Sequence, residues 1–249
     1  MMIKNSMLLM LLFPLLTLTA FAVQDVRPVY DARLTPKAVP LPSAEESIVR
    51  REVSTTARRI WGGRLQNCDD DSGKPDIIDH AQGSFTRRDA SQTAILYRYC
   101  TTGHNFALDG IAIIEQGQLV SHLVYEGSWD NALGALPDLD GNGQTELLIS
   151  TGGTNMGETW NVVSIIELSG NNVRKFGMVQ TYLDNCGVAE NEGEATAYKI
   201  SAKAATAPVF YREAFTNKEC GGNKDKWTST GNRKQISMKP DEIKYRRVK

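Results

Sequence analysis

The 249-residue chain has little surplus charge of either sign: 28 Lys and Arg stand against 29 Asp and Glu, a formal net charge of −1. A general nucleic-acid binder needs an excess of cations to displace counterions from phosphates, so that class is excluded. Cysteine is scarce, with four residues and no C-x-x-C pair, which removes a thioredoxin-type site and a zinc ribbon. The three histidines, His80, His104 and His122, form no H-E-x-x-H pair and no metal-ligand spacing with cysteine or carboxylate. A G-x-S-x-G nucleophile elbow is missing, and the glycine-rich stretch Gly152-Gly153-Thr154-Asn155-Met156-Gly157 lacks the G-K-[ST] ending of a phosphate loop. After residue 22 no apolar run approaches the ~20 residues of a membrane-spanning helix. A hydrophobic content of 41%, with 21 Gly and 9 Pro, excludes a disordered or collagen-like chain.

What is there begins with an address. Residues 1–22 carry one cation (Lys4), an apolar run from Met7 to Leu16, and then Ala20-Phe21-Ala22, small residues at −3 and −1 of a start at Val23. This is signal-peptide chemistry. The competing reading, a membrane anchor, fails on length, because Pro14, Thr17 and Thr19 interrupt the run. The expectation is a secreted or periplasmic protein with no transmembrane segment. In that compartment an even cysteine count favours two disulfides over four buried free thiols. Cys68, Cys100, Cys186 and Cys220 allow three connectivities, and we expect the sequential one, Cys68–Cys100 and Cys186–Cys220. Each bridge closes a loop worth roughly 3–4 kcal/mol in the chain-entropy model.

Residues 23–42 hold Pro28, Pro36, Pro40 and Pro42 and read as a linker or extended arm. Ser43 and Glu46 then have capping-box spacing, and Val49, Val53, Ala57 and Ile60 share one helical stripe with Arg51 and Arg58 opposite. A helix is predicted over 43–61, stopped by Gly62-Gly63. Beyond residue 76 the pattern changes to runs of Val, Ile, Thr and Tyr broken by Gly, Asn and Asp. Strands are predicted near 93–100, 110–115, 118–126, 145–151, 160–168, 172–183, 194–203, 207–215, 226–230 and 234–238, with another near 242–248. Thr151–Trp160 then reads as the longest loop and a candidate contact surface. Gln116-Gly117 and Gly170-Asn171-Asn172 supply hairpin turns. Short links between successive strands mean antiparallel pairing. The predicted fold is therefore one mainly-β domain over 43–249 with an N-terminal helix: an antiparallel meander, propeller-blade-like or a two-sheet sandwich.

Charge is unevenly spread. Residues 105–200 carry 13 acidic and 3 basic side chains, and residues 216–249 carry 10 basic and 4 acidic. A basic tail can dock on an anionic surface. Here it is interleaved with Ile236, Met238, Ile243 and Tyr245, which favours packing over its own acidic chain.

One motif has specific chemistry. In Asp138-Leu-Asp-Gly-Asn-Gly-Gln-Thr-Glu146, oxygen-bearing side chains stand at positions 1, 3, 5 and 9 (Asp138, Asp140, Asn142 and Glu146). Gln144 at position 7 can offer its backbone carbonyl. Calcium takes six to eight oxygens at about 2.3–2.6 Å, and Gly141 and Gly143 permit the turns that aim them inward. The competing reading is a plain turn, since Asp and Asn bond their own backbone in such loops. An EF-hand is excluded because its twelfth position would be Ile149. With Leu147-Leu148-Ile149 following as a strand, the loop resembles the D-x-D-G-D-G-x-x-D calcium loop of FG-GAP/VCBS repeats of extracellular β-propellers. Departures are Glu at position 9 and the absence of the Phe-Gly-Gly-Ala-Pro signature. A degraded second copy starts at Cys68 and keeps Asp70, Ser72 and Asp76. The resemblance implies Ca2+ at the 138–146 loop and propeller-like repeats, although about eleven strands fall short of four four-stranded blades.

The functional expectation is a calcium-stabilised binding module, non-catalytic, whose partner is a protein or a cell-surface glycan. Two alternatives stand beside it: an extracytoplasmic hydrolase acting on carbohydrate, with acids of 105–200 in its cleft, and a structural envelope protein with a basic docking tail.

Overall fold

The computed structural model describes residues 26–34, 40–69, 73–103, 106–128, 130–170, 172–188, 193–219 and 226–248. The expected signal peptide (1–22), Asp70, Ser72, His104 and Cys220 lie outside the described residues.

Among the described residues of the proline-rich arm, one stretch is a strand. β1 (Arg27–Asp31) pairs antiparallel with a strand far along the chain. Pro28 is tolerated there because an edge strand asks for hydrogen bonds on one side only. Next comes α1 (Ser43–Trp61), which matches the predicted span. Its stripe of Val49, Val53, Ala57 and Ile60 is buried together with Trp61, and Arg51 and Arg58 are exposed. The expected capping box is not formed. Pro42 is the N-cap and has no side-chain acceptor, so Ser43 is already helical and Glu46 pairs with Arg50 at 2.7 Å one turn on. Gly62, at φ 58°, ends the helix, and a 3-10 turn (Gly62–Asn67) leads to Cys68.

Two antiparallel sheets follow as meanders. β2 (Asp76–Gly83), β3 (Gln92–Thr101), β4 (Ala107–Glu115) and β5 (Gln118–Gly127) lie side by side in chain order. A second sheet runs β6 (Asp130–Leu136), β7 (Glu146–Asn155), β8 (Glu158–Ser169), β9 (Asn172–Asp184), β10 (Ala195–Lys203), β11 (Val209–Asn217) and β12 (Thr228–Ser229). β13 (Lys234–Ile236) adds to β11, and β1 adds to β10. Finally β14 (Arg246–Arg247) returns to pair with β5. The larger sheet curls into a half-barrel. Two sheets form among the described residues, whereas a propeller needs at least four blades.

Burial explains the long apolar runs. In β3, Ile95, Tyr97 and Tyr99 face α1, while Ala94 and Leu96 face the other sheet. β7 repeats the pattern: Leu147 and Ile149 pack between the sheets, and Leu148 packs inside the curl with Val163, Ile165, Ile200 and Phe210. A strand covered on both faces loses the polar alternation of a half-exposed one. The protein is thus layered as helix, five-stranded sheet, front of the curled sheet, and back of the curl.

Three strands were absent from the sequence prediction. β1 is proline-bearing, β2 is broken by a bulge between Ile77 and Asp79, and β6 (DNALGAL) is built from small residues of low strand propensity. The predicted loop Thr151–Trp160 is instead the end of a hairpin, turning at Met156-Gly157. Glycine weakens a strand, which is why the stretch reads as a loop. Here Gly152 lets the backbone approach closely, since a Cβ would lie 2.5 Å from the Trp160 carbonyl oxygen.

The basic tail is packed on the chain. Ile243 and Tyr245 join the inter-sheet core, Lys175 donates to the Asp241 carbonyl at 2.9 Å, and Val248 donates to the His122 carbonyl at 2.9 Å. Residues 241–248 therefore strap the two sheets together.

One buried ion pair, between β3 and β4 of the smaller sheet, also bonds to the other sheet. Asp109 on β4 is fully buried, accepts from Arg98 Nε at 3.1 Å and from Asn131 on β6, and Arg98 also donates to the Ser128 carbonyl. Burial pushes the Asp109 carboxyl up to about 6, against the pull of Arg98 and Asn131. Removing one partner leaves the other charge uncompensated in the interior. Asp109→Ala is therefore expected to lower unfolding free energy by about 3–5 kcal/mol in urea titrations. Equal midpoints for variant and parent would show that Arg98 needs no counter-ion.

Candidate metal centre

The loop between β6 and β7 brings together three of the residues singled out by the sequence. One carboxylate oxygen from each of Asp138, Asp140 and Glu146 lies within 4.8 Å of the others. Gly141 and Gly143 take φ values of 81° and 85°, the left-handed geometry that bends the loop back on itself. Asp138 organises the bend: Oδ1 accepts from the amides of Gly141 (2.7 Å) and Asn142 (3.1 Å), and Oδ2 accepts from Gly143 (2.7 Å). Asp140 Oδ1 accepts from the Asn142 amide at 3.2 Å. These are the self-bonding contacts of an Asx-rich turn, so the turn and the acidic cluster coexist.

Glu146 differs from the two aspartates because it opens a buried strand. Its carboxylate is fully enclosed and accepts from the Leu139 amide at 3.0 and 3.1 Å, closing the loop across its base. Burial raises its pKa to about 7; the Leu139 and Glu146 amides oppose the shift, and the charges of Asp138 and Asp140 add to it. The group is therefore poised between protonation and a cation. Leu139 itself reaches into the curl, and its carbonyl accepts from Ala205 at 2.9 Å, tying the loop to the β10–β11 connection.

Asn142 and Gln144 complete the loop between the two aspartates and Glu146. Asn142 Oδ1 accepts from the Gln144 amide at 2.7 Å, and its Nδ2 donates to Glu167. Gln144 Oε1 is buried without a hydrogen-bond partner among the described residues. Sequence reasoning missed the rest of the surroundings. Glu167 on β8 is buried, Arg174 on β9 pairs with Asp140 and lies 4.0 Å from Glu167, and Arg88 donates to the Asn142 carbonyl at 3.0 Å. No local pattern could have marked them, since each is 25 to 54 positions from the loop residue it meets and the packing of distant segments creates the contact. Arg174 offsets part of the negative charge. What remains is an all-oxygen donor set, which suits a hard divalent cation.

Cys68 and Cys100 are disulfide-bonded, as expected from the sequential pairing. Cys186 is also disulfide-bonded, and Cys220 lies outside the described residues. The bridge consumes the first ligand position of the degraded loop copy, whose Asp76 is an exposed residue of β2.

His122 is a structural residue. It is buried under α1, and its Nε2 shares a 2.6 Å hydrogen bond with the Tyr97 hydroxyl. Gly110 makes room for that contact, because a Cβ there would sit 2.3 Å from the Tyr97 hydroxyl. Burial, with a smaller contribution from Arg59, lowers the His122 pKa to about 4 from its usual 6.5. The unfolded chain takes up the His122 proton as pH falls below 6.5, whereas the folded one resists until about 4. This group therefore costs stability as the pH drops through that window. His122→Gln cannot titrate, so its deficit relative to the parent is expected to shrink by about 3 kcal/mol between pH 7 and pH 4. A pH-independent difference in denaturation free energy would refute the neutral, buried imidazole.

Compared with known proteins, the chain matches no family model, no curated protein and no solved structure.

Proposed function

We propose that the chain is an extracytoplasmic, calcium-stabilised β module with a binding role and no catalytic one. The observation that carries this reading is the convergence of Asp138, Asp140 and Glu146 at the joint between β6 and β7. Carboxylate and amide oxygens with no nitrogen or sulfur donor favour calcium over zinc or copper, and a donor set drawn from one irregular loop suits calcium's variable coordination better than magnesium's strict octahedron. The likeness to the FG-GAP/VCBS calcium loop supports the same ion. Through Leu139 and Ala205 on one side and Asn142 and Glu167 on the other, a cation at this point would tie the front of the curled sheet to its back.

Secretion or residence in the periplasm is supported by the Cys68–Cys100 disulfide, which persists in oxidising compartments, together with the signal-like residues 1–22. Among the described residues no helix is long and apolar enough to cross a membrane. A partner, protein or cell-surface glycan, is proposed because the ion motif is structural in character and His122 is engaged by the buried Tyr97 hydroxyl.

Thermal or urea unfolding with and without calcium tests the ion. A site with Kd of about 10⁻⁴–10⁻³ M is expected to add about 1.4–2.7 kcal/mol of stability at roughly 10 mM calcium. Asp140→Ala should abolish that increment, and chelator should return the parent to its calcium-free midpoint. An identical calcium response in parent and Asp140→Ala would reduce the loop to a turn. For the role itself, glycan-array binding without hydrolysis of the same glycans is the expected outcome. Turnover lost on a single Asp or Glu substitution would replace the binding reading by a hydrolase.

A further inference from the structure

We propose that the recess between the end of α1, the outer edge of β5 and the C-terminal strap binds a small organic anion: an acidic oxygen head group, carboxylate or phosphate, on an apolar body. The recess measures about 490 Å3, within the range of small-molecule sites. It exists because a strand pairing stops short. β14 pairs with β5 through Arg246↔Val124 and Arg247↔Leu123; the preceding strap residues 242–245 do not continue the ladder, although the Tyr245 and Tyr125 rings meet with centroids 5.3 Å apart.

The walls hold more donors than acceptors. Trp61, Arg64, Glu126, Glu242, Lys244 and Arg246 line the opening. Arg64 is committed to Glu126 by an ion pair. Lys244 and Arg246 stand two residues apart on the extended strap, both exposed, and neither has an ion pair among the described residues. Trp61 is 4% exposed, and its indole Nε1 has no hydrogen-bond partner among the described residues. A buried N–H is satisfied in the great majority of cases, so this donor, on a residue that lines the recess, is one the described chain leaves open to an acceptor. Three cations against two carboxylates leave the recess net positive. An anion whose oxygens meet Lys244, Arg246 and the Trp61 Nε1, with its apolar body against Val124 and Ile243, supplies the missing acceptors. Nothing in this argument depends on calcium at the 138–146 loop.

The test is a two-dimensional 1H–15N titration of the purified protein with phenyl phosphate, benzoate and, as a neutral control, benzyl alcohol. The Trp61 indole resonance, assigned by its loss in Trp61→Phe, is expected to shift saturably with an anionic probe and to stay still with benzyl alcohol. The double variant Lys244→Ala/Arg246→Ala should raise the midpoint concentration at least tenfold, and Lys203→Ala, on the other sheet, should leave it unchanged. If the double variant fails to fold, Lys244→Gln serves, since that side chain is exposed and unpaired. Response to phenyl phosphate alone would identify a phosphate site, and response to benzoate alone a carboxylate site; either supports the proposal. Absence of a saturable shift with both anions, an equal response to benzyl alcohol, or an unchanged midpoint in the charge variants would overturn it.

Discussion

The structure depends on β7 being buried on both faces. Leu147 and Ile149 fill the space between the sheets while Leu148, one residue out of phase, fills the inside of the curl. Because successive side chains of a strand point to opposite sides, three adjacent apolar residues belong to two different cores. Each fully buried side chain of this size contributes about 1.5–3 kcal/mol relative to exposure, so the register of β7 couples both cores. A one-residue slip would exchange their contents and leave neither filled.

That constraint also places the acidic loop. Glu146 is the first residue of β7, and strand register carries its carboxylate into the interior, where it caps the Leu139 amide. The neighbouring aspartates are held by backbone amides that the two left-handed glycines present. A buried carboxylate beside two others has few ways to lower its electrostatic cost. It can keep a proton, lean on a fixed cation such as Arg174, or share a divalent ion. The first is visible in the elevated pKa of Glu146 and the second in the Arg174–Asp140 pair; the third is the proposed one.

A similar economy governs the interior polar groups. Asp109 is held by Arg98 and Asn131 from neighbouring strands, and His122 stays neutral against Tyr97. Both are tied across strands, so they restrain how sheets and helix sit on one another. The C-terminal strap completes the arrangement by joining the edge of β5 only from Arg246 onward, which creates both a protected edge and an open recess.

Local chemistry made much of this legible in the chain. Whereas the partner of Cys68 was one of three choices that the fold decided, the α1 stripe at i, i+4, i+8 and i+11, the Gln116-Gly117 turn and the sequential hairpins all follow from spacing, because neighbours in the chain determine them. The triad of Asp138, Asp140 and Glu146 was legible for the same reason, its members lying within nine positions. Tertiary structure decided what distant segments do to one another. It recruited proline-bearing β1 and small-residue β6 as edge strands, turned a glycine-rich stretch into a hairpin, and buried Glu167 beside a loop 25 positions away. Those outcomes depend on which strands pair and which faces are covered, and the free energy of burial that selects them is a property of the assembled layers and not of any short window of residues.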